Sequence, residues 1–180
     1  HNEIAAVETA SGDVNVYITG VRVGTNEFGS STVSGEDDRL YLTKLRDNGS
    51  EGQFIWVTQF GGMSLGAAVS GDPKLAVDGS GRIYVADSFG GEAQFGDVTL
   101  SGGFGWTGFV MAVTDQGSAP TYDWANAATG GTYGTQAPGI DGVKATGIGF
   151  DEGVLYVSYV FAEFIELQSS DDNISSLSSR

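Results

Sequence analysis

Hydrolytic chemistry most often starts from a carboxylate beside a nucleophile and a histidine, and this chain offers 23 Asp and Glu against one His and no Cys. His1 stands at the terminus, so neither a Ser-His-Asp nor a Cys-His arrangement can be assembled within the chain. A carboxylate pair of the glycosidase kind remains open, since it needs only two carboxyl groups about 5 to 9 Å apart. Nothing in the sequence singles out such a pair. Carboxylates could also hold a cation, but calcium takes about six to eight oxygen ligands, and no Asp-x-Asp-x-Asp spacing occurs. The densest clusters are Glu36-Asp37-Asp38 and Asp171-Asp172. They read first as solvated faces, with Glu36, Asp37 and Asp38 the candidate ligands if calcium binds weakly. No cofactor is otherwise expected, because the Gly-x-Gly groupings fall between strand-like runs with no helix after them.

Aromatic residues in loops are the other chemistry to weigh. Gly102-Gly103-Phe104-Gly105-Trp106 sets two of them in a glycine-rich loop, where Phe104 and Trp106 are candidates for stacking on a sugar ring. The competing reading is packing between sheets, expected also for Trp56 and Trp124, since burying one such side chain contributes about 3 kcal/mol. The eight basic residues leave a formal charge of -15, which opposes attraction to phosphate backbones and anionic lipid. The expected partners are therefore protein or glycan rather than nucleic acid. No apolar run approaches the roughly 20 residues that span a bilayer, so no membrane insertion is expected.

Self-similarity shows what must position these groups. Gly12-Asp13-Val14-Asn15-Val16-Tyr17-Ile18-Thr19 matches Gly81-Arg82-Ile83-Tyr84-Val85-Ala86-Asp87 and then Gly153-Val154-Leu155-Tyr156-Val157-Ser158, which sets Tyr17, Tyr84 and Tyr156 at steps of 67 and 72. Glu27-Phe28-Gly29 with Thr32-Val33-Ser34-Gly35 answers to Gln94-Phe95-Gly96 with Thr99-Leu100-Ser101-Gly102. Leu40-Tyr41-Leu42-Thr43-Lys44-Leu45 answers to Phe109-Val110-Met111-Ala112-Val113, and Asp47-Asn48-Gly49-Ser50 to Asp115-Gln116-Gly117-Ser118. Trp56 and Trp124 follow, before Gly61-Gly62 and Gly130-Gly131. Recurrence makes the three tyrosines structural, and it places Asp13, Asp47, Asp78, Asp115 and Asp151 at turns, where a carboxylate bonds nearby backbone amides.

Each copy holds four short runs of β-branched and aromatic residues separated by Gly, Asp, Ser and Asn, the pattern of a four-stranded antiparallel meander, and helical periodicity is absent. In the second copy the strands are expected near Lys74 to Asp78, Arg82 to Ser88, Gly108 to Thr114 and Thr121 to Ala125, with Asp78-Gly79-Ser80-Gly81 closing the first hairpin. The third copy supplies Ala145 to Asp151 and Val154 to Phe161 before an ending rich in Ser and Asp. Propellers generally close with four or more blades. The chain is therefore expected to be a piece of a longer propeller, or to complete one by self-association. Alternatively, Glu163 to Ser179 pairs with the first strand and seals an open array.

At these residues the sequence resembles the SBBP-type bacterial β-propeller repeat family, whose units run as Asp-x-x-Gly-x-Val-Tyr-Val-Thr-Gly followed by Phe-Gly, Phe-Val-x-Lys-Leu and Trp-x-x-x-x-Gly-Gly. Asp78 to Ala86 and Trp56 to Gly62 carry the likeness best, while Glu8-Thr9-Ala10-Ser11-Gly12 departs from the Asp turn. The resemblance implies an exported, modular scaffold rather than a reaction. The repeats exceed usual blades through Gly24 to Asp38 and Phe89 to Gly103, the insertions where function would sit.

The expectation is thus an all-β chain of about two and a half propeller-like blades, with repeats over 1–66 and 67–135 and a half repeat with a polar tail over 136–180. Its expected role is a non-enzymatic extracellular or cell-surface module that serves as a scaffold or adhesion surface. The alternatives are a carbohydrate-active enzyme domain with acids in a propeller channel, and a subunit of a self-assembling surface filament or layer.

Overall fold

The computed structural model describes residues 1–35, 39–62, 69–102, 105–130, 142–161 and 165–168. Those residues form fifteen β-strands and no helix. The first repeat is the meander β1 (Asn2–Glu8), β2 (Val14–Arg22), β5 (Arg39–Asp47) and β6 (Gly52–Gly62), interrupted by the hairpin β3 (Asn26–Phe28) and β4 (Ser31–Val33). The second repeats the plan with β7 (Lys74–Val77), β8 (Arg82–Phe89), β11 (Thr107–Asp115) and β12 (Pro120–Gly130), and its hairpin is β9 (Glu92–Phe95) with β10 (Val98–Ser101). The third provides β13 (Val143–Asp151), β14 (Val154–Phe161) and β15 (Ile165–Gln168). All strand pairs are antiparallel. The all-β architecture is that read from the sequence, as are the first three expected strands of the second repeat to within a residue, whereas the fourth, expected over Thr121 to Ala125, runs on to Gly130; the architecture is that of a partial propeller.

Equivalent residues hold equivalent registers. Tyr17 stands opposite Lys44 and Tyr84 opposite Ala112. Each third strand carries an irregularity at the same place, between Lys44 and Leu45 and between Ala112 and Val113. A bulge adds twist and re-aims its neighbours, and in both repeats the tryptophan pairs at that point, Trp56 opposite Lys44 and Trp124 opposite Ala112. Third and fourth strands are joined by matched turns in which Gly49 (φ 86°) and Gly117 (φ 90°) take the left-handed conformation that favours glycine.

The sheets are not self-contained blades. β9 leaves its own repeat and pairs with the end of β6, Gln94 opposite Gly61 and Ala93 opposite Gly62, so the first sheet runs β1-β2-β5-β6-β9-β10. β15 does the same one repeat later, pairing Ile165 with Gly130 and Gln168 with Ala127 on β12. This corrects the alternative in which the tail from Glu163 pairs with the first strand: β15 adds to β12, because it occupies in the third repeat the place that β9 holds in the second. Residues 169–180 lie outside the described part. One apolar cluster spans the first two repeats, with Tyr17, Leu40, Leu42, Trp56 and Phe60 from one and Ile83, Phe89, Phe95, Phe109 and Met111 from the other. Phe95, carried in by the β9 arm, sits among Phe60, Phe89 and Phe109 at centroid distances of 6.0, 6.2 and 4.7 Å.

Candidate functional site

The densest polar constellation lies where the second repeat meets the first. Asp115, at the end of β11, reaches back to the preceding repeat. Its Oδ2 accepts hydrogen bonds from Tyr17 Oη at 2.7 Å and Lys44 Nζ at 2.5 Å, and its Oδ1 accepts from Trp56 Nε1 at 3.2 Å and from the Gly117 amide at 2.9 Å. The Lys44 and Asp115 side chains are both buried. Burial alone would favour the neutral acid, but the donors Lys44, Tyr17, Gly117 and Trp56 together outweigh it and hold the carboxyl below the usual carboxylate range. Burial, with Asp115 beside it, pushes the Tyr17 hydroxyl up. A carboxylate used by four donors has no free lone pairs for a substrate. It is a tie between repeats.

The turn role expected of the recurring aspartates holds at three of them: Asp47 Oδ1 accepts from the Gly49 amide at 2.8 Å, Asp78 Oδ1 from the Ser80 and Arg82 amides at 2.8 and 3.0 Å, and Asp115 from Gly117. Burial raises the Asp78 carboxyl less than the bonds from Ser80, Arg82 and Tyr84 lower it, so it too stays below its ordinary value. What the turn reading missed is the second use of Asp115. The signal was Lys44, a cation in an apolar strand, where a buried charge requires a partner.

A second buried acid was also missed. Asp87 in β8 is fully buried and accepts a hydrogen bond from Ser70 Oγ through Oδ1, while its Oδ2 has no hydrogen-bond partner among the described residues. Burial pushes its pKa up to about 6 against the opposing bonds from Ser70 and the Ser88 amide. The equivalent positions hold Gly20 and Tyr159, and this break in the repeat was the available clue.

Of the sequence candidates, Glu36, Asp37, Asp38 and Phe104 lie outside the described residues. Among the described residues no group of three or more His, Cys, Asp or Glu is placed to hold a metal ion. Trp106 is half-buried and joins the second repeat to the third: its carbonyl accepts the Val143 amide at 2.7 Å, and Lys144 Nζ lies 5.0 Å from the centroid of its ring. A sugar stacking on that face would displace the ammonium.

The aromatic pairs of the two repeats correspond closely. Tyr17 and Trp56 have centroids 6.2 Å apart, and Tyr84 and Trp124 6.4 Å apart. Trp56 is buried as expected, whereas Trp124 is only half-buried. The structural role expected of the third tyrosine fails at Tyr156, which is 59% exposed where Tyr17 and Tyr84 are 1% and 5%. The reason is that no third strand covers it among the described residues.

The two insertions fold as the hairpins β3-β4 and β9-β10. Buried Arg22 braces the base of the first by donating from Nη1 to the carbonyls of Gly24 and Gly35, and Phe28 anchors it against Tyr41 and Phe54 at 4.9 and 5.6 Å. No family model matches the chain, and comparison with curated proteins and with solved structures finds no match.

Proposed function

We propose that the chain is a non-enzymatic extracellular or cell-surface repeat module, a rigid propeller-like scaffold that presents its insertion hairpins to protein or glycan. The observation that carries this reading is the use made of the recurrent polar and aromatic residues. The recurring Tyr17, Trp56 and Asp115, joined by Lys44 at a position where the next repeat holds Ala112, are consumed in fixing the first repeat to the second, so the recurring residues at this junction serve construction. The parts free to differ are the hairpins. Glu27 and Thr32 stand exposed on the first, and Glu92, Gln94, Thr99 and Ser101 on the second, polar groups suited to hydrogen-bonding a surface rather than enclosing a small molecule. Export and modularity are what the SBBP-like repeat pattern implies.

The test is a binding and turnover panel on the intact chain. Immobilised glycans and cell-surface protein extracts are probed alongside reducing-end assays on soluble polysaccharides. Saturable binding that falls at least tenfold when Glu27, Gln94 and Thr99 are changed to Ala, with no new reducing ends, supports the module. Polysaccharide cleavage would instead establish the enzyme alternative.

A further inference from the structure

The linker between the first two repeats lies over the end of β8 and is held there by few backbone contacts. The Ser70 amide donates to the Ser88 carbonyl at 2.8 Å, Val69 forms an isolated bridge with Phe89, and Gly71 turns the chain with φ 80°. Such a segment opens more readily than the sheets it joins. It also touches the first repeat: a Cβ on Gly71 would stand 3.5 Å from Val21, and one on Gly61 would stand 3.2 Å from Val69.

Asp87 is the side chain under this linker. Its carboxylate accepts from Ser70 Oγ and from the Gly71 amide, it is 0% exposed, and its Oδ2 has no hydrogen-bond partner among the described residues. Residues 63–68, just before the linker, contain no ionisable residue. Gly20 holds the equivalent place in the first repeat, so the acid is an addition to the repeat rather than part of its construction. The cations on the surrounding elements are engaged elsewhere. Lys74 of β7 pairs with Asp72 and Glu3 at 2.7 and 3.7 Å, Lys144 of β13 faces the Trp106 ring, and Arg22 of β2 donates to the Gly24 and Gly35 carbonyls. The His1 ammonium donates to the Gly71 carbonyl at 3.3 Å, and β11 sets Phe109 opposite Asp87. The charge that acts most on Asp87 is a like one, that of Asp72.

Burial outweighs the bonds from the linker and raises the carboxyl from 3.8 to about 6, so the closed linker favours the neutral acid. That preference is fully present below 3.8 and is lost as pH rises through 6. An ionised Oδ2 needs water, and the lightly held cover is Ser70 with Gly71. We propose that Asp87 makes the linker between the first two repeats a proton-operated latch: the neutral acid holds Ser70 and Gly71 closed over β8, and ionisation releases them together with their contacts to Val21 and Gly61.

Amide exchange of the intact chain, corrected for the intrinsic rate at each pH, reads the latch. Opening at Ser70 and Gly71 should rise about tenfold between pH 5 and pH 8, the factor for a carboxyl at about 6 when closed and 3.8 when open. Exchange at both should be insensitive to dilute urea, unlike that of β5, because a lifted linker exposes little surface. Asp87→Asn should abolish the rise. With no variant at all, the carbon-13 signal of the Asp87 carboxyl should titrate with the same midpoint as the Ser70 and Gly71 amide shifts. A rise that persists in Asp87→Asn would put the trigger on another group, such as the His1 ammonium or Asp72, and overturn the proposal. Constant protection at Ser70 and Gly71 would also overturn it, as would amides that do not follow the carboxyl. A urea dependence equal to that of β5 would mean that the linker opens only when the chain unfolds, and the latch would fall with it.

Discussion

Replacing Asp115 by Ala removes the acceptor shared by Tyr17, Lys44 and Trp56. The largest consequence is at Lys44, whose side chain is 2% exposed and would be left as a buried cation without a counter-charge. Removing one partner of such a pair costs about 3 to 5 kcal/mol. The indole N–H and the phenol lose an acceptor as well, but both lie near the carboxylate's own vacated volume, which water can enter, so they add little. The comparison that isolates the tie is Asp47→Ala, which deletes the same turn bond to a glycine amide with no donors from a neighbouring repeat and should cost about 1 kcal/mol. For a chain of this length the difference corresponds to roughly 5 to 15 °C in Tm. Urea unfolding followed by tryptophan fluorescence and near-ultraviolet circular dichroism reads both variants. Adding Lys44→Met to Asp115→Ala should recover much of the loss, since an apolar replacement of a buried pair is often neutral. A loss below about 1 kcal/mol for Asp115→Ala, or equal losses for Asp115→Ala and Asp47→Ala, would refute the tie.

Asp87→Asn should stabilise the chain at pH 8. The folded pKa of Asp87 is raised to about 6 from 3.8, so the fold favours its neutral form, and its contribution is greatest below pH 3.8 and lost as pH rises through 6. The gain at pH 8 is about 2 to 3 kcal/mol and should shrink toward zero near pH 4 in parallel urea titrations; a gain that does not vary with pH would contradict the burial argument. Gly96→Ala should destabilise far more than Gly117→Ala: both glycines have positive φ, but a Cβ at Gly96 would come within 2.8 Å of Tyr122 while one at Gly117 meets open space. About 1 kcal/mol is expected for Gly117→Ala and about 3 or more for Gly96→Ala, measured by thermal unfolding. Trp106→Ala should weaken the hold of the third repeat and increase amide exchange in β13, because Lys144 loses the ring it faces; unchanged exchange there would show that the backbone bond from Val143 suffices.

Much of the fold was legible because each repeat carries its own strand and turn chemistry. Tyr17 and Tyr84, the Asp-x-Gly turns, and Trp56 and Trp124 beside their bulges recur at nearly constant spacing, and period-2 patterning fixes which face each strand buries. The arms were not legible. The pairing of β9 with β6 rests on two residue pairs, Gln94 with Gly61 and Ala93 with Gly62, and glycines that admit a neighbouring backbone look in sequence like any other turn glycines. β15 was hidden in the same way, since Ile165 to Gln168 repeats the β9 pattern only loosely. The candidate site was legible in part. Repetition correctly placed Asp115 in a turn, but the residue that gives it a further duty, Lys44, matters because it differs from its counterpart Ala112.

That one difference separates the two junctions. Between the first and second repeats, Lys44 and Asp115 form a buried ion pair to which Tyr17 and Trp56 are tied. Between the second and third, Ala112 stands in place of the lysine, and Phe150 of β13 stacks on Tyr84 with centroids 5.4 Å apart and planes 12° from parallel. A charge-assisted network requires each donor at its acceptor, so it fixes orientation as well as proximity; a ring stack tolerates sliding and fixes proximity mainly. The two respond differently to acid. The folded pKa of Asp115 is lowered, so its contribution is present above the ordinary carboxylate value and lost as pH falls through the folded one. The two rings of the stack do not titrate in that range; the one carboxylate bonded to them, Asp78, accepts from Tyr84 within the second repeat and does not cross the junction. Acid should therefore loosen the first junction while leaving the second, which makes the polar tie the element that sets the angle between successive repeats and the apolar one the element that keeps the third in place.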